Sequence, residues 1–351
     1  MNCAADVVVV GGGPAGAAAA IWAASGGLRV TLFERSAFPR HRPGETLHPG
    51  VDSVFRQLGV EAEVEAASAV RHTAHRVVWG ASDFSVEFGA DERGPWRGYQ
   101  ILRERLDSML IARARQLGVE VVQPDPVDAA IVEDDRVIGV RSTRTVLGRF
   151  VIDAGGGRAW LPRQLGLPVE TASPSLRAYY GYCEGEPSEK RVLPSLAADE
   201  EGWTWIAEIG PRKFHWTRLS FANDRAPPPP PYLASLRQTG RVRGADVTWR
   251  RVKAASGKGY FIVGDAAFVL DPIASHGVLR ALMSGMMAAH AARQILSGAV
   301  DEDTAARQYR AWIGTWYRHD LDHLLGFYRQ LDVPPPWLPA IAQGPPFDRR
   351  I

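Results

Sequence analysis

The chain opens on an unbroken apolar run, Val7-Val8-Val9-Val10, that stops at Gly11-Gly12-Gly13. Four β-branched residues with no polar alternation predict a strand buried on both faces. The alanine-rich stretch behind it predicts a helix, with Pro14 in the first turn, where its missing N–H costs nothing. Residues 29–34 predict a second strand, 51–58 a helix, and 76–79 and 84–88 two alternating strands. Behind the segment 102–107 a helix is predicted to run to Gln116, stopped by Gly118, and a further buried strand over 150–153. Segments 178–184, 203–209, 213–220 and 247–252 are aromatic and β-branched and predict one antiparallel sheet. Then come a buried strand over 260–263, a long Ala/Met/Leu helix over 278–295 and a helical pattern over 301–331. Residues 227–231 are all proline and predict a stiff polyproline II connection, and the tail from Val333 is proline-rich and irregular. No internal repeat is visible.

Composition narrows this picture. At 351 residues and 46% apolar content the chain is long enough for two or three cores. Its net charge of +2 is made of interspersed charges, which argues against nucleic acid as the main partner. Two cysteines, Cys3 and Cys183, fit a reducing compartment and build no metal site. The apolar N-terminus lacks the basic flank of a signal peptide, and no uninterrupted apolar stretch reaches the ~18 residues of a membrane span. A soluble, cytoplasmic protein is expected.

Two distant motifs carry the chemistry. Gly11, Gly13 and Gly16, with Pro14 and Ala15 between them, keep the G-x-G-x-x-G spacing between a strand and a helix. That pattern gives a tight turn, close backbone approach to a pyrophosphate and close helix–strand packing, with the anion on the helix N-terminus. Glu34, followed by Arg35, ends the next strand at the distance, roughly 20 residues on, where a carboxylate takes the adenosine ribose hydroxyls. The second motif is Val263-Gly264-Asp265, with Asp271-Pro272 and Ser275-His276-Gly277-Val278 after it. Asp265 suits a ribityl chain. A helix N-terminus at Gly277 and Val278 suits the negative charge of a reduced flavin. Together the motifs specify FAD. Arg103 and the strand ending in Asp153-Ala154-Gly155 mark further approaches to the cofactor.

On these landmarks the chain resembles the FAD-dependent aromatic hydroxylase superfamily, typified by p-hydroxybenzoate hydroxylase, over residues 6–295. The resemblance implies an α/β fold. A Rossmann-like FAD-binding domain (1–75, 99–172 and 254–300) carries an inserted antiparallel β-sheet substrate domain (76–98 and 173–253), followed by C-terminal helices and tail (301–351). Ala154 departs from the stricter Asp-Gly form of the central segment. The stretch Pro39-Arg40-His41-Arg42-Pro43-Gly44-Glu45-Thr46-Leu47 and the Trp203-Thr204-Trp205-Ile206 run resemble flavin-dependent halogenases, although Ala207-Glu208 stands where that signature has Ile-Pro. Halogenases carry a catalytic lysine in the first quarter of the chain. Here the four lysines are Lys190, Lys213, Lys253 and Lys258, and arginine does not replace an ammonium. Halogenase architecture without halogenase chemistry is expected. Gly44-Glu45-Thr46-Leu47-His48-Pro49 with Ser275-His276-Gly277 is most similar to flavoproteins that mature cysteine tryptophylquinone enzymes.

That resemblance implies a monooxygenase that hydroxylates an electron-rich aromatic through a flavin hydroperoxide. The tryptophan side chain of a quinone-enzyme precursor is the preferred substrate. NAD(P)H, or a separate flavin reductase, would supply electrons. Candidate catalytic residues are His276 and Glu45. Arg42 is a candidate cofactor contact, and His48, Trp203, Trp205 and Trp216 are candidate pocket walls. His319 and His323, at i and i+4, read as a solvated helix face rather than a metal site. Two alternatives stay open: a reductase of carbon–carbon double bonds resembling prenyl reductases, and a non-catalytic FAD-binding chaperone.

Overall fold

The computed structural model describes residues 5–187, 193–221 and 225–338. The predicted Val7–Val10 run lies within the strand Ala5–Val10, which pairs in parallel with Val30–Phe33 on one side and Thr145–Asp153 on the other. These strands are at the centre of an eight-stranded sheet completed by Glu120–Val122, Ala129–Glu133, Arg136–Arg141, Ser256–Gly257 and Tyr260–Ile262. Val7, Val8, Val9, Val151 and Ile152 are all fully buried, as unalternated strands covered on both faces require.

The helix Pro14–Ser25 packs on this sheet and on the late helix Gly277–Leu296. Their contact is backbone against backbone. A Cβ on Gly285 would overlap the Ala15 carbonyl oxygen, and one on Gly264 would lie 3.0 Å from the Ala15 Cβ. The small residues of both helices, Ala17, Ala18, Ala288 and Ala289 among them, are fully buried. The remaining long helices, Arg103–Gln116 and Glu302–Tyr328, fall where the sequence pattern predicts them.

A second sheet of seven strands is ordered Arg237–Asp246, Arg177–Glu184, Lys213–Ser220, Gly202–Gly210, Ser195–Asp199, Ala74–Trp79, Ser82–Glu87. It differs from the expected sheet in two ways. The pairing of Ser195–Asp199 with Ala74–Trp79 is parallel, so the sheet is mixed. The segment 247–252 does not join it. Its strand, Arg250–Val252, pairs with Val169–Thr171 and Phe268–Val269 in a separate three-stranded sheet. The place is taken by Arg237–Asp246, an edge strand rich in arginine and glycine, whose exposed charges conceal it from a search for apolar alternation. Asp246 then accepts from the Thr248 N–H and hydroxyl, and this turn breaks the strand before Trp249.

Pro230 holds φ −60° and ψ 154°, the polyproline II geometry expected there, and leads into the short 3-10 turn Pro231–Leu233. The proline-rich tail beyond Leu338 lies outside the described residues. Among the described residues no helix is long and apolar enough to cross a membrane.

The tight helix contact generates a paired prediction. Gly285→Ala is expected to cost about 1–3 kcal/mol by forcing the two backbones apart. Gly326→Ala, where an added Cβ meets nothing within 4 Å, is expected to be neutral or stabilising by roughly 0.5–1 kcal/mol. Denaturant unfolding of both variants checks this; equal effects would contradict the packing description.

Candidate active site

Both Gly motifs open onto one cavity of about 880 Å³ between the two sheets. At its first end, Gly11 holds φ +108° and donates its N–H to the Phe33 carbonyl at 2.7 Å. Gly13 precedes the helix Pro14–Ser25 in extended conformation, and no side chain caps the helix. The orphan N–H groups of that first turn therefore face the cavity wall formed by Gly13, Pro14 and Ala15. Gly16 lies behind the wall, where a Cβ would overlap the Gly11 carbonyl. Glu34, 5% exposed, accepts from the Gly12 N–H at 2.8 Å and the Ser36 N–H at 3.0 Å. Each carboxylate oxygen keeps a lone pair for a further donor. Arg40 lies 3.7 Å from Glu34 and 3.4 Å from Asp107, and its Nε is buried without a partner. Arg35, Arg42 and Arg158 complete this wall. An uncapped helix N-terminus beside a buried guanidinium nitrogen without a partner is a fitting place for the diphosphate of FAD.

At the other end, Gly264 turns with φ +58° and donates to the Ser284 hydroxyl at 2.9 Å. Asp265, Pro272, His276, Gly277 and Val278 line the cavity. Asp271 caps its own turn through the Ile273 N–H and accepts from the Tyr328 hydroxyl at 2.6 Å. Tyr328 in turn accepts from Trp203 Nε1 at 2.7 Å. This buried chain ties the flavin-side turn, the C-terminal helix and the seven-stranded sheet together. Burial pushes the Asp271 carboxyl up to about 6.

Two expected site residues, Asp153 and Trp216, lie off the cavity wall. Asp153 is fully buried and off the cavity wall; its carboxylate accepts from the Gly155 and Leu161 N–H groups, and burial raises it to about 6. The approach to the cofactor is made instead by Ala154, Gly155 and Gly156. Arg103 lines the cavity, and three of its five N–H donors go to Asp107 and the Pro43 carbonyl, which braces the Arg42–Glu45 turn. Trp216 is a correction. On its strand His215 and Thr217 face the cavity, so Trp216 points to the opposite face, where it packs on Gly181 in a small core with Cys183, Ile206, Phe214 and Leu233. Trp203 and Trp205, two residues apart, do line the cavity.

Glu45 is 1% exposed. It accepts from the Gly44 N–H at 2.8 Å and the Tyr182 hydroxyl at 2.5 Å, and its carboxylate lies 3.7 Å from His215 Nδ1. Burial and this carboxylate hold the Tyr182 phenol protonated, whereas burial lowers His215. Glu45 is therefore an anchored carboxylate between turn and sheet.

The feature least visible in the sequence is histidine. Seven of the nine histidines line this cavity: His48, His72, His75, His215, His276, His319 and His323. His48 and His276 stand 4.9 Å apart in edge-to-face contact. His48, His72 and His75 surround Phe88 at 5.4–5.7 Å, and His75 also meets Trp205 at 5.9 Å. Burial holds His72 and His75 at about 4 and His276 at about 3. These side chains are neutral imidazoles at neutral pH. His319 and His323 are exposed, as expected of a solvated face, and sit at the cavity rim with rings 4.3 Å apart. No group of three or more His, Cys, Asp or Glu among the described residues is arranged to hold a metal. A His-x-x-His step over 72–75 was the only sequence signal for the new pair, and it is weak without the fold.

Fold and cavity define a flavoprotein oxidoreductase. A family model described as FAD binding domain matches residues 4–307, and the chain belongs to that family. It is 28% identical over 338 residues to 1H-pyrrole-2-carbonyl-[peptidyl-carrier protein] brominase of Pseudoalteromonas luteoviolacea, covering 88% of this chain and 81% of that protein. It is 27% identical over 351 residues to menaquinone reductase of Mycolicibacterium smegmatis, covering 87% and 80%. Among solved structures, the myxobacterial chondrochloren halogenase CndH superposes with a TM-score of 0.85 at 27% identity, covering 93% of this chain and 83% of that one.

The lowered imidazoles generate a pH prediction. Between about 6.5 and the lowered values the unfolded chain binds more protons than the fold, so these groups make stability fall as pH drops. Asp153 and Asp271 act oppositely: between 3.8 and about 6 the fold keeps protons the unfolded chain has lost, and stability falls as pH rises. The comparison is therefore between variants. A His72→Phe/His75→Phe protein is expected to lose less thermal stability than the native chain between about pH 7 and about pH 5. Equal losses would contradict neutral burial of the pair.

Proposed function

We propose that this protein is an FAD-dependent monooxygenase that hydroxylates an electron-rich aromatic ring. The preferred substrate is a tryptophan side chain of a partner protein, a quinone-enzyme precursor. The observation that carries the reading is the chamber beyond Gly277, walled by Trp203, Trp205, Phe88 and uncharged histidines. Aromatic faces stack an aromatic substrate, and a wall of neutral groups holds little water to compete for the oxidant.

FAD, when bound, supplies two-electron redox chemistry with dioxygen. The chain supplies the rest. The uncapped helix start at Gly13 and Pro14, with Arg40 and Glu34, would hold the diphosphate and ribose. The helix start at Gly277 offers N–H groups to negative charge at the ring end. His276, neutral and on the wall, takes the proton that the oxygenated ring carbon must lose. A weak base serves here, because a proton on an oxygenated ring cation is strongly acidic. Glu45, fixed by Tyr182 and the Gly44 N–H, orients the turn beside the ring and the neighbouring His215.

Kinship with proteins named as halogenases does not by itself extend halogenation to this chain. No lysine among the described residues lines the cavity, and the first lysine in the sequence is Lys190. A second reading, hydride transfer to a carbon–carbon double bond, is favoured by the kinship with menaquinone reductase. Electrons would come from NAD(P)H or from a separate flavin reductase.

Heavy-oxygen labelling decides between them. Reduced protein mixed with ¹⁸O₂ and a co-expressed partner carrying unmodified tryptophan is expected to place label on that tryptophan, read by mass spectrometry. His276→Ala is expected to retain FAD and lose product formation by about 100-fold. Product without label would sink the oxygenase reading, and an undiminished His276→Ala would remove the role given to that residue.

A further inference from the structure

We propose that a second depression, lined by Arg42, Lys213, Arg241 and Arg243, is a docking site for acidic residues of the partner protein, those flanking the tryptophan that enters the large cavity. The proposal rests on the reading above that the ring to be oxygenated belongs to a protein, and it specifies the sequence around that ring.

This depression, of about 240 Å³, adjoins the large cavity, and Arg42, Glu45 and Arg103 line both. Its other walls come from Leu102 and Glu104 at a helix start, from Tyr182 and Lys213 on adjacent strands, and from the edge strand Arg237–Asp246. A bulge aims that edge strand. Arg243 pairs with Tyr180 and Thr239 with Tyr182, so Gly240, Arg241 and Val242 stand against Gly181 alone. Gly240 takes φ +72°, a conformation that side chains rarely adopt. The bulge brings Arg241 into the depression with Thr239 and Arg243, while Val242 packs on the small core around Cys183 and Trp216. Charges on an edge strand commonly point to solvent and block pairing. These two line a depression instead.

The positive charge there is unmatched. Arg103 is held by Asp107, and Glu45 accepts from the Tyr182 hydroxyl. Arg42, Lys213, Arg241 and Arg243 form no ion pair among the described residues, whereas Arg237, at the start of the same edge strand, is paired with Glu184. Arg241 and Arg243 are exposed, so they meet a ligand without a large desolvation cost. Glu104 is the remaining carboxylate, and it stands in the first turn of the helix Arg103–Gln116. A phosphate drawn to that helix start would meet its negative charge. The free cations lie on the opposite, sheet side, carried by a turn and two strands, and this spacing suits carboxylates strung along a chain. A tryptophan held in the large cavity leaves its sequence neighbours outside, and a depression that shares a wall with the cavity is placed to take them.

The test uses the FAD-loaded, oxidised protein and two blocked heptapeptides, each with a central tryptophan between glycines. One carries two glutamates at each end and the other two glutamines, and binding is read by calorimetry at low salt. The glutamate peptide is expected to bind about tenfold more tightly, the combined worth of a few partly exposed ion pairs, with the advantage shrinking as salt is raised. Arg241→Glu/Arg243→Glu is expected to bring the ratio to one or below. Arg115→Glu/Arg307→Glu makes the same change of net charge at exposed positions that line neither cavity, and is expected to keep most of the preference. Equal affinities in the native protein, or equal losses in the two double variants, would overturn the dock. So would NADPH that abolishes binding of the glutamate peptide, which would make the depression a nucleotide site. Should Arg241→Glu/Arg243→Glu fail to fold, Arg241→Glu alone, at an exposed position, decides. Because binding is read without turnover, an acidic preference without oxygen label sinks only the proposed reaction, and label without the preference sinks only the dock.

Discussion

The site depends on one steric constraint: two helices from opposite ends of the chain touch through their backbones. Ala15 meets Gly285 at a distance that leaves no room for a methyl group, and a Cβ on Gly264 would lie 3.0 Å from the Ala15 Cβ. Only with that approach do the uncapped start at Gly13 and the start at Gly277 open onto the same cavity. Larger side chains would separate the two turns and with them the two ends of any molecule spanning the space. The alanine and glycine content of these helices is therefore a functional constraint as well as a packing one.

Given that frame, the cavity divides into two electrostatic environments. Around the first Gly turn, Arg35, Arg40, Arg42 and Arg158 surround Glu34, an arrangement suited to phosphates and ribose. Around Phe88 the polar groups are imidazoles that burial keeps uncharged. The chain of hydrogen bonds from Asp271 through Tyr328 to Trp203 links the turn at the junction to the sheet that walls the second environment.

Much of this was legible in the sequence because it is local. The valine run, the Gly spacing, Glu34 and the late Gly264-Asp265 turn are each encoded within a few residues, and the helices Val51–Leu58 and Arg103–Gln116 follow from periodicity and their glycine stops. What was not legible depends on strand parity and on pairing across long separations. Trp216 differs from His215 and Thr217 only in which face of the sheet it takes, and a single sequence does not show which face meets the cofactor. The histidine cluster gathers positions 48, 72, 75 and 276, so nothing in any one window marks it. The edge strand Arg237–Asp246 is hidden by its own solvent-facing arginines, and Asp153 reads as a cofactor ligand until its carboxylate is seen turned back onto the Gly155 and Leu161 amides.

The most direct measurement is a crystal structure of the FAD-loaded protein. The diphosphate is expected on the N–H groups at Gly13 and Pro14 with Arg40 alongside, and the isoalloxazine ring at Gly277 with one edge open toward His276 and the Phe88 chamber. Density that places the adenine at His276, or the ring outside the cavity, would contradict the account.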